Sequence, residues 1–157
     1  MLSMSKPYSF PVYQVNDDVL LAGQPQPHEW AVLAKQGWKV VLNIRSDPER
    51  AAQQAEMARA AGLAYVYLPV PAYELETEHL AQIAAVIEQH RNGLVLQCRT
   101  ASRVGLLWML YRMEYQGWSA EAAQTELNQA GYEPDTMEGL VFCVEDYAER
   151  AGTISMS

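Results

Sequence analysis

Cysteine, histidine and long apolar runs are scarce in this sequence. Its 157 residues include two cysteines, Cys98 and Cys143, and three histidines, which excludes a disulfide framework and leaves no spacing of zinc ligands. The longest uninterrupted apolar run covers residues 106–111, far short of the ~20 residues that cross a membrane. Residues 1–7 lack the apolar stretch of a secretory signal. We therefore expect a soluble, cytoplasmic protein without a membrane partner.

Positive charge is also scarce. Lys and Arg total 11 against 19 Asp and Glu, which gives a formal net charge of −8 at pH 7. Such a chain repels nucleic acid unless its basic residues are clustered, so no nucleic-acid partner is expected. Half of the residues are hydrophobic, which excludes disorder and, at this length, predicts one domain over residues 1–157 with a substantial core.

Apolar runs alternate with amphipathic segments along the chain. A hairpin is predicted over residues 11–22, and buried strands over residues 38–44, 63–70 and 94–96. Helices are predicted to begin at Pro27, Asp47, Arg103, Ser119 and Met137, and Thr77 is predicted to be the N-cap of a further helix. Alternating strands and helices predict an α/β fold of three layers, with a mostly parallel central sheet flanked by helices.

The loop at residues 97–105 joins a buried strand to a buried helix and carries two of the eleven basic residues, Arg99 and Arg103. Free backbone N–H groups and the helix dipole make such a junction an anion site. A thiol placed there, that of Cys98, should lose its proton readily because the same groups stabilise the thiolate. The alternative is that Cys98 is an inert core cysteine, but burying two arginines around an inert thiol would be costly.

Each residue of this loop has an expected role in binding an anion. Arg103 presents a planar fork to two oxygens of the anion, and Arg99 widens the positive field. Thr100 and Ser102 can donate their hydroxyls to the cysteine sulfur. The loop therefore predicts a nucleophilic cysteine beside a slot for a tetrahedral oxyanion, which is the machinery of phosphoryl or sulfur transfer.

Four segments occur in an order that resembles a known family: LAGQP at residues 21–25, GWKVVLNIR at residues 37–45, AGLAYVYLPV at residues 61–70, and the Cys98 loop. Over residues 10–115 the chain is similar to the beta-lactamase-hydrolase-like phosphatase family, a branch of the cysteine-dependent tyrosine and dual-specificity phosphatases. The resemblance implies a tyrosine-phosphatase-like fold and a phospho-cysteine intermediate on Cys98. Arg103 and the loop amides, Ala101 included, would hold the phosphate, and neither a metal nor an organic cofactor is implied.

Three departures from the wider phosphatase pattern bear on the chemistry. Four residues rather than five separate Cys98 from Arg103, a shorter spacing that also resembles rhodanese-type sulfurtransferases. Gln97 stands where a histidine is usual. Ala101 stands where the family commonly has glycine, so a positive φ there would be strained.

The general acid is not obvious from the sequence. Phosphatases of this type use an aspartate after the preceding strand, but residues 69–76 contain none. Glu74 and Glu76 can substitute if burial raises their pKa, although each also suits a solvated acidic run. Asp47, beyond the strand at residues 38–44, is another candidate, and helix capping explains it equally well.

The favoured function is hydrolysis of a phosphate monoester through Cys98 and Arg103, with an anionic phosphorylated substrate. Two alternatives remain open: a sulfurtransferase that carries a persulfide on Cys98 and takes an anionic sulfur donor, and an inactive anion-binding module. Cys143 is predicted to pack in the core, because it shares an apolar helical face with Leu140, Val144 and Tyr147.

Overall fold

A five-stranded sheet lies at the centre of the protein. The computed structural model describes residues 8–71 and 74–156. Within them the strands are β1 (Val12–Asn16), β2 (Val19–Ala22), β3 (Val40–Asn43), β4 (Ala64–Tyr67) and β5 (Leu94–Gln97). Their order across the sheet is β1-β2-β5-β3-β4; β1 pairs antiparallel with β2, and the other neighbours are parallel. The predicted hairpin and the mostly parallel sheet are confirmed.

Helices cover both faces of this sheet. Those in the described residues are α1 (Glu29–Lys35), α2 (Pro48–Ala60), α3 (Thr77–Gln89), α4 (Ser102–Gln116), α5 (Ala120–Ala130) and α6 (Pro134–Ala151). In β5, Leu94 and Leu96 pack into the larger core cluster with α3 to α6, whereas Val95 packs with α1 and α2. Because successive side chains of a strand point to opposite faces, this split produces the predicted three layers.

The position of β5 between β2 and β3 decides where the site lies. Gln97 at the end of β5 is level with Ala22 on one side and with Asn43 on the other. The chain therefore leaves all three parallel strands at one edge of the sheet. In open α/β sheets, ligands bind beyond this carboxyl edge.

Helix α4 runs through the middle of the larger core, as its apolar sequence predicts. Its buried side chains lie on all sides of the helix and include Val104, Trp108 and Met113. Its 15 residues are fewer than the ~20 that a membrane-spanning helix needs. Among residues 8–71 and 74–156, no helix is long and apolar enough to span a bilayer.

Helix α1 begins at Glu29 rather than at Pro27, and α4 begins at Ser102 rather than at Arg103.

Two further helices also differ at their starts from the sequence predictions. Helix α3 has Glu76 rather than Thr77 as its N-cap, and the Glu76 N–H donates to Nδ1 of His79 at 3.0 Å. Helix α6 begins at Pro134, three residues before Met137, because proline has its φ preset for a first helical position.

The prediction that Cys143 packs in the core is wrong. The buried residues of α6 are Met137, Leu140, Val144 and Tyr147, and Cys143 is exposed. Its position lies beside this buried stripe. Helical periodicity indicates the centre of such a stripe, but the packing of neighbouring helices decides how wide it is.

We expect Arg112→Ala to destabilise the protein by about 2 kcal/mol, because Arg112 joins α4 to α5. Its guanidinium donates to both carboxylate oxygens of Glu126, at 3.0 and 2.7 Å, with each side chain 13% exposed. It also lies over the rings of Trp108 and Trp118, at 4.7 and 4.0 Å.

Urea unfolding of the two arginine variants measures this effect. The control is Arg91→Ala, which removes an exposed ion pair with Glu88 and should leave the midpoint unchanged. Equal midpoints for both variants would contradict the role of Arg112.

Candidate active site

The backbone of residues 98–100 is held against the end of β2. The Cys98 N–H donates to the carbonyl of Ala22 at 3.1 Å, and the Gln24 N–H donates to the carbonyl of Arg99 at 3.1 Å. Gly23 allows this close approach, because a Cβ there would lie 3.0 Å from the Arg99 carbonyl oxygen and 2.9 Å from the Pro11 ring. The Cys98 side chain is 3% exposed.

Ala101 turns the chain from this loop into α4. It has φ 73° and is fully buried. This left-handed conformation costs a residue with a Cβ about 1–2 kcal/mol. The reversal makes Ala101 the N-cap of α4, and its carbonyl accepts from the Gly105 N–H at 3.1 Å. Strain of this kind persists where surrounding contacts determine the backbone.

Tyr132 supplies such a contact. Its hydroxyl donates to the Ala101 carbonyl at 2.6 Å, and its ring stacks on that of Tyr13 with centroids 3.9 Å apart. Burial, and then the charge of nearby Cys98, raises the pKa of Tyr132, so the hydroxyl keeps its proton. Gly105 makes room for this hydroxyl, because a Cβ there would lie 2.8 Å from it.

A basin of about 410 Å³ opens above Cys98. Its described lining residues come from the ends of two adjacent parallel strands: Arg45, Ser46, Asp47, Cys98, Arg99, Thr100, Ser102 and Arg103. The structure thus places five of the candidate site residues around one basin: Cys98, Arg99, Thr100, Ser102 and Arg103. Ala101, also expected to bind the anion, is fully buried and is not among the described residues that line the basin.

Arg103 is half-buried and tied to the segment that follows β4. Its Nη1 donates to the carbonyl of Val70 at 3.2 Å, and Ser46 Oγ donates to the same carbonyl at 3.3 Å. The Val70 N–H in turn donates to the carbonyl of Ile44 at 3.0 Å. A guanidinium has five N–H donors, so this anchor leaves several of them for an anion in the basin.

Arg45 also lines the basin, although no motif in the sequence predicts a role for it. Its Nη1 donates to Gln24 Oε1 at 2.6 Å, and the same oxygen accepts from Nε2 of buried Gln97 at 3.0 Å. Gln97, where a histidine is usual, therefore helps to position an arginine from the next strand. The available signal was position: Arg45 follows a predicted parallel strand, whose end shares an edge with that of Cys98.

The hydroxyls of the loop do not make the predicted bonds to sulfur. In the described structure Thr100 Oγ1 donates to Ser102 Oγ at 3.3 Å. Thr100 is exposed on the rim, whereas Cys98 is buried on the floor of the basin. The two hydroxyls therefore shape the entrance.

The candidate acids occupy different surroundings. Asp47 lines the basin and caps α2 by accepting from the Arg50 N–H at 3.2 Å. Glu74 is exposed, has φ 56°, and is not among the described residues that line this basin. Glu76 is exposed at the start of α3. Asp47 is thus the one of the three carboxyl groups that the structure brings to the basin of Cys98.

Charge in the basin is opposite in sign to that of the chain. Its described lining includes three arginines and one aspartate, in a protein whose net charge is −8. The start of α4 adds the positive end of a helix dipole. A concave site with a nucleophile on its floor and guanidinium groups on its walls can hold a tetrahedral anion and attack it.

Comparison with known sequences agrees with this geometry. The sequence model of the beta-lactamase hydrolase-like protein, phosphatase-like domain, matches residues 12–114, well over half of the chain, and the chain belongs to this family. The resemblance drawn from the ordered motifs is confirmed.

The curated relatives are longer proteins. A beta-lactamase hydrolase-like protein of Xylella fastidiosa (strain Temecula1) is 26% identical over 104 residues, which cover 63% of this chain and 24% of the relative. One from Agrobacterium fabrum (strain C58) is 24% identical over 102 residues, 62% of this chain and 24% of the relative. The chain therefore spans about a quarter of the length of these relatives.

Solved structures share the fold. TpbA of P. aeruginosa superposes with a TM-score of 0.70 at 21% identity, covering 88% of this chain and 85% of TpbA. A TpbA variant in complex with pTyr gives 0.68 at 18% identity, covering 90% and 85%. Tk-PTP in its active form gives 0.67 at 17% identity, covering 86% and 96%. The expected tyrosine-phosphatase-like fold is confirmed.

We expect Ala101→Gly to leave the free energy of unfolding within about 0.5 kcal/mol of the original protein. Relief of the left-handed strain offsets the greater freedom that glycine has in the unfolded chain. The control is Ala84→Gly, at a buried position of α3, which should lose about 1 kcal/mol or more. Equal losses in urea unfolding would show that Ala101 is not strained.

Proposed function

We propose that this domain is a cysteine-dependent phosphatase that hydrolyses phosphate monoesters through a phospho-cysteine on Cys98. The observation that carries the proposal is that Cys98 lies on the floor of a basin whose wall includes Arg103, at the start of buried helix α4. Membership in a phosphatase-like family and the pTyr bound to the structurally similar TpbA variant support an anionic phosphorylated substrate.

In the proposed first step, the Cys98 thiolate attacks phosphorus and the bond from phosphorus to the ester oxygen breaks. The free N–H groups of Arg103, together with the loop amides, hold the non-bridging oxygens as charge shifts onto them. The leaving oxygen takes a proton from a carboxylic acid, and Asp47 is the candidate because it lines the same basin. The products of this step are an alcohol or phenol and phospho-Cys98.

In the second step, water attacks phosphorus and the sulfur–phosphorus bond breaks. The carboxylate left by the first step accepts a proton from this water, inorganic phosphate leaves, and the thiolate returns. The half-buried guanidinium of Arg103 retains its position through the Val70 carbonyl and can serve both steps without moving.

Sulfur transfer is the second candidate, and one observation favours it. Four residues separate Cys98 from Arg103, so the loop offers one amide fewer than the usual phosphatase loop and can suit a smaller group such as a persulfide sulfur. In that reaction the Cys98 thiolate attacks the outer sulfur of thiosulfate, sulfite leaves, and Cys98 carries a persulfide. No general acid is needed for it.

We expect the protein to release phosphate from phenyl phosphate and Cys98→Ser to abolish the release. Arg103→Lys should lower kcat/KM by about 10²-fold, because an ammonium cannot reproduce the two-oxygen contact of a guanidinium. The matched control is Cys143→Ser, which removes the exposed thiol and should hydrolyse phenyl phosphate at the original rate.

The same preparations, exposed to thiosulfate and weighed by mass spectrometry, separate the alternatives. One sulfur atom of added mass on the original protein, absent from Cys98→Ser, without phosphate release would establish the sulfurtransferase. Binding of phosphate without turnover of either donor would establish an inactive anion-binding module. Either outcome refutes the proposed phosphatase.

The role of Asp47 predicts a dependence on the leaving group. Asp47→Asn should lower kcat for an alkyl phosphate much more than for 4-nitrophenyl phosphate, because a nitrophenolate leaves without a proton. Asparagine caps helices as well as aspartate, so the fold should persist. The control, Glu74→Gln, should change neither rate. If Glu74→Gln shows the leaving-group dependence and Asp47→Asn does not, Glu74 is the general acid.

A further inference from the structure

A second pocket with arginines on its walls adjoins the basin of Cys98. It has a volume of about 580 Å³ and shares Arg45, Asp47, Arg99 and Thr100 with the basin. Arg50 lines this second pocket and is not among the described residues that line the first. The two cavities are thus neighbours separated by shared side chains, and a single ligand can extend from one into the other.

Gln24 contacts the side chain of Arg45 and the backbone of Arg99. Gln24 Oε1 accepts from Arg45 Nη1 at 2.6 Å, and the Gln24 N–H donates to the Arg99 carbonyl at 3.1 Å. The Gly23 N–H donates to the Pro11 carbonyl at 2.8 Å, which brings Pro11 against the same wall. The pocket is therefore built from backbone contacts as well as exposed side chains.

Arg50 comes from the first turn of α2, and of the arginines that line the pocket it is the one whose side chain can change partner. Its Nε lies 3.7 Å from Asp47 Oδ2, and the two side chains are 58% and 45% exposed. An exposed ion pair of this kind is weak, so Arg50 can exchange Asp47 for a dianion. The described residues that line this pocket include three arginines and one aspartate, so the charge balance of its lining is positive.

We propose that this pocket is a second anion subsite, which binds a second phosphate of a substrate whose first phosphate lies over Cys98. This proposal rests on the proposed function, in which Cys98 attacks the first phosphate. It adds the substrate class, which is phosphate monoesters that carry a second phosphate close to the reacting one. Because the two phosphates are part of one molecule, the second contact is intramolecular, and two sites of modest affinity together bind the ligand more tightly.

The test compares meta- and para-phenylene bisphosphate with phenyl phosphate. For the original protein we expect kcat/KM for at least one bisphosphate to exceed that for phenyl phosphate about tenfold, well above the statistical factor of about two that two equivalent phosphates give. Arg50→Gln should bring this ratio close to two. The ratio is the readout because any effect of Arg50 on Asp47 is common to all three substrates.

The matched control is Arg59→Gln, the same charge change on the same helix at an exposed position outside the pocket. It should leave the ratio unchanged, because separated surface charges are screened at physiological salt. A ratio near two in the original protein, or an equal fall in both arginine variants, overturns the subsite.

Calorimetric titration of Cys98→Ser separates the two proposals without turnover. If a bisphosphate binds about tenfold more tightly than phenyl phosphate, and Arg50→Gln removes the difference, the subsite stands even when the original protein hydrolyses nothing and the phosphatase fails. If phenyl phosphate is hydrolysed but no bisphosphate binds more tightly, the phosphatase stands and the subsite fails. Inorganic phosphate that binds as tightly as a bisphosphate also refutes the tethered ligand.

Discussion

The carbonyl oxygen of Ala101 is the point on which the geometry of the site depends. It accepts from the Tyr132 hydroxyl at 2.6 Å and from the Gly105 N–H at 3.1 Å, and these two bonds hold a left-handed alanine that would otherwise relax. Because Ala101 is held there, α4 begins at Ser102 and brings Arg103 to the basin of Cys98. The rest of the larger core supports this junction between the loop and α4, because α4 packs in the middle of that core.

Charge distribution complements this geometry. Arg45, Arg50, Arg99 and Arg103 line two adjoining cavities at one edge of the sheet, although Lys and Arg total only 11 in a chain with net charge −8. At physiological salt the Debye length is about 8 Å, so an anion at this edge interacts mainly with the nearby arginines. The acidic remainder of the surface disfavours anions elsewhere, which concentrates anion binding at Cys98.

Local patterns predicted the architecture better than they predicted burial or boundaries. Apolar runs identify the strands because a parallel strand is covered on both faces, and the all-round apolar sequence of α4 identifies the central helix. Cys143 shows the limit: its neighbours Leu140 and Val144 are buried while it is exposed. Helix boundaries show a second limit, because Thr77 was expected to cap α3 and Glu76 is the N-cap instead.

The loop at residues 97–105 is contiguous, so the sequence by itself determined that a cysteine and Arg103 lie between a buried strand and a buried helix. It could not determine that Tyr132 holds Ala101, or that Gln24 holds Arg45. These pairs are separated by 31 and 21 residues along the chain, and they meet only in the folded protein, in which β5 inserts between β2 and β3. That insertion is decided by burial of the whole core at once, and no local periodicity encodes it.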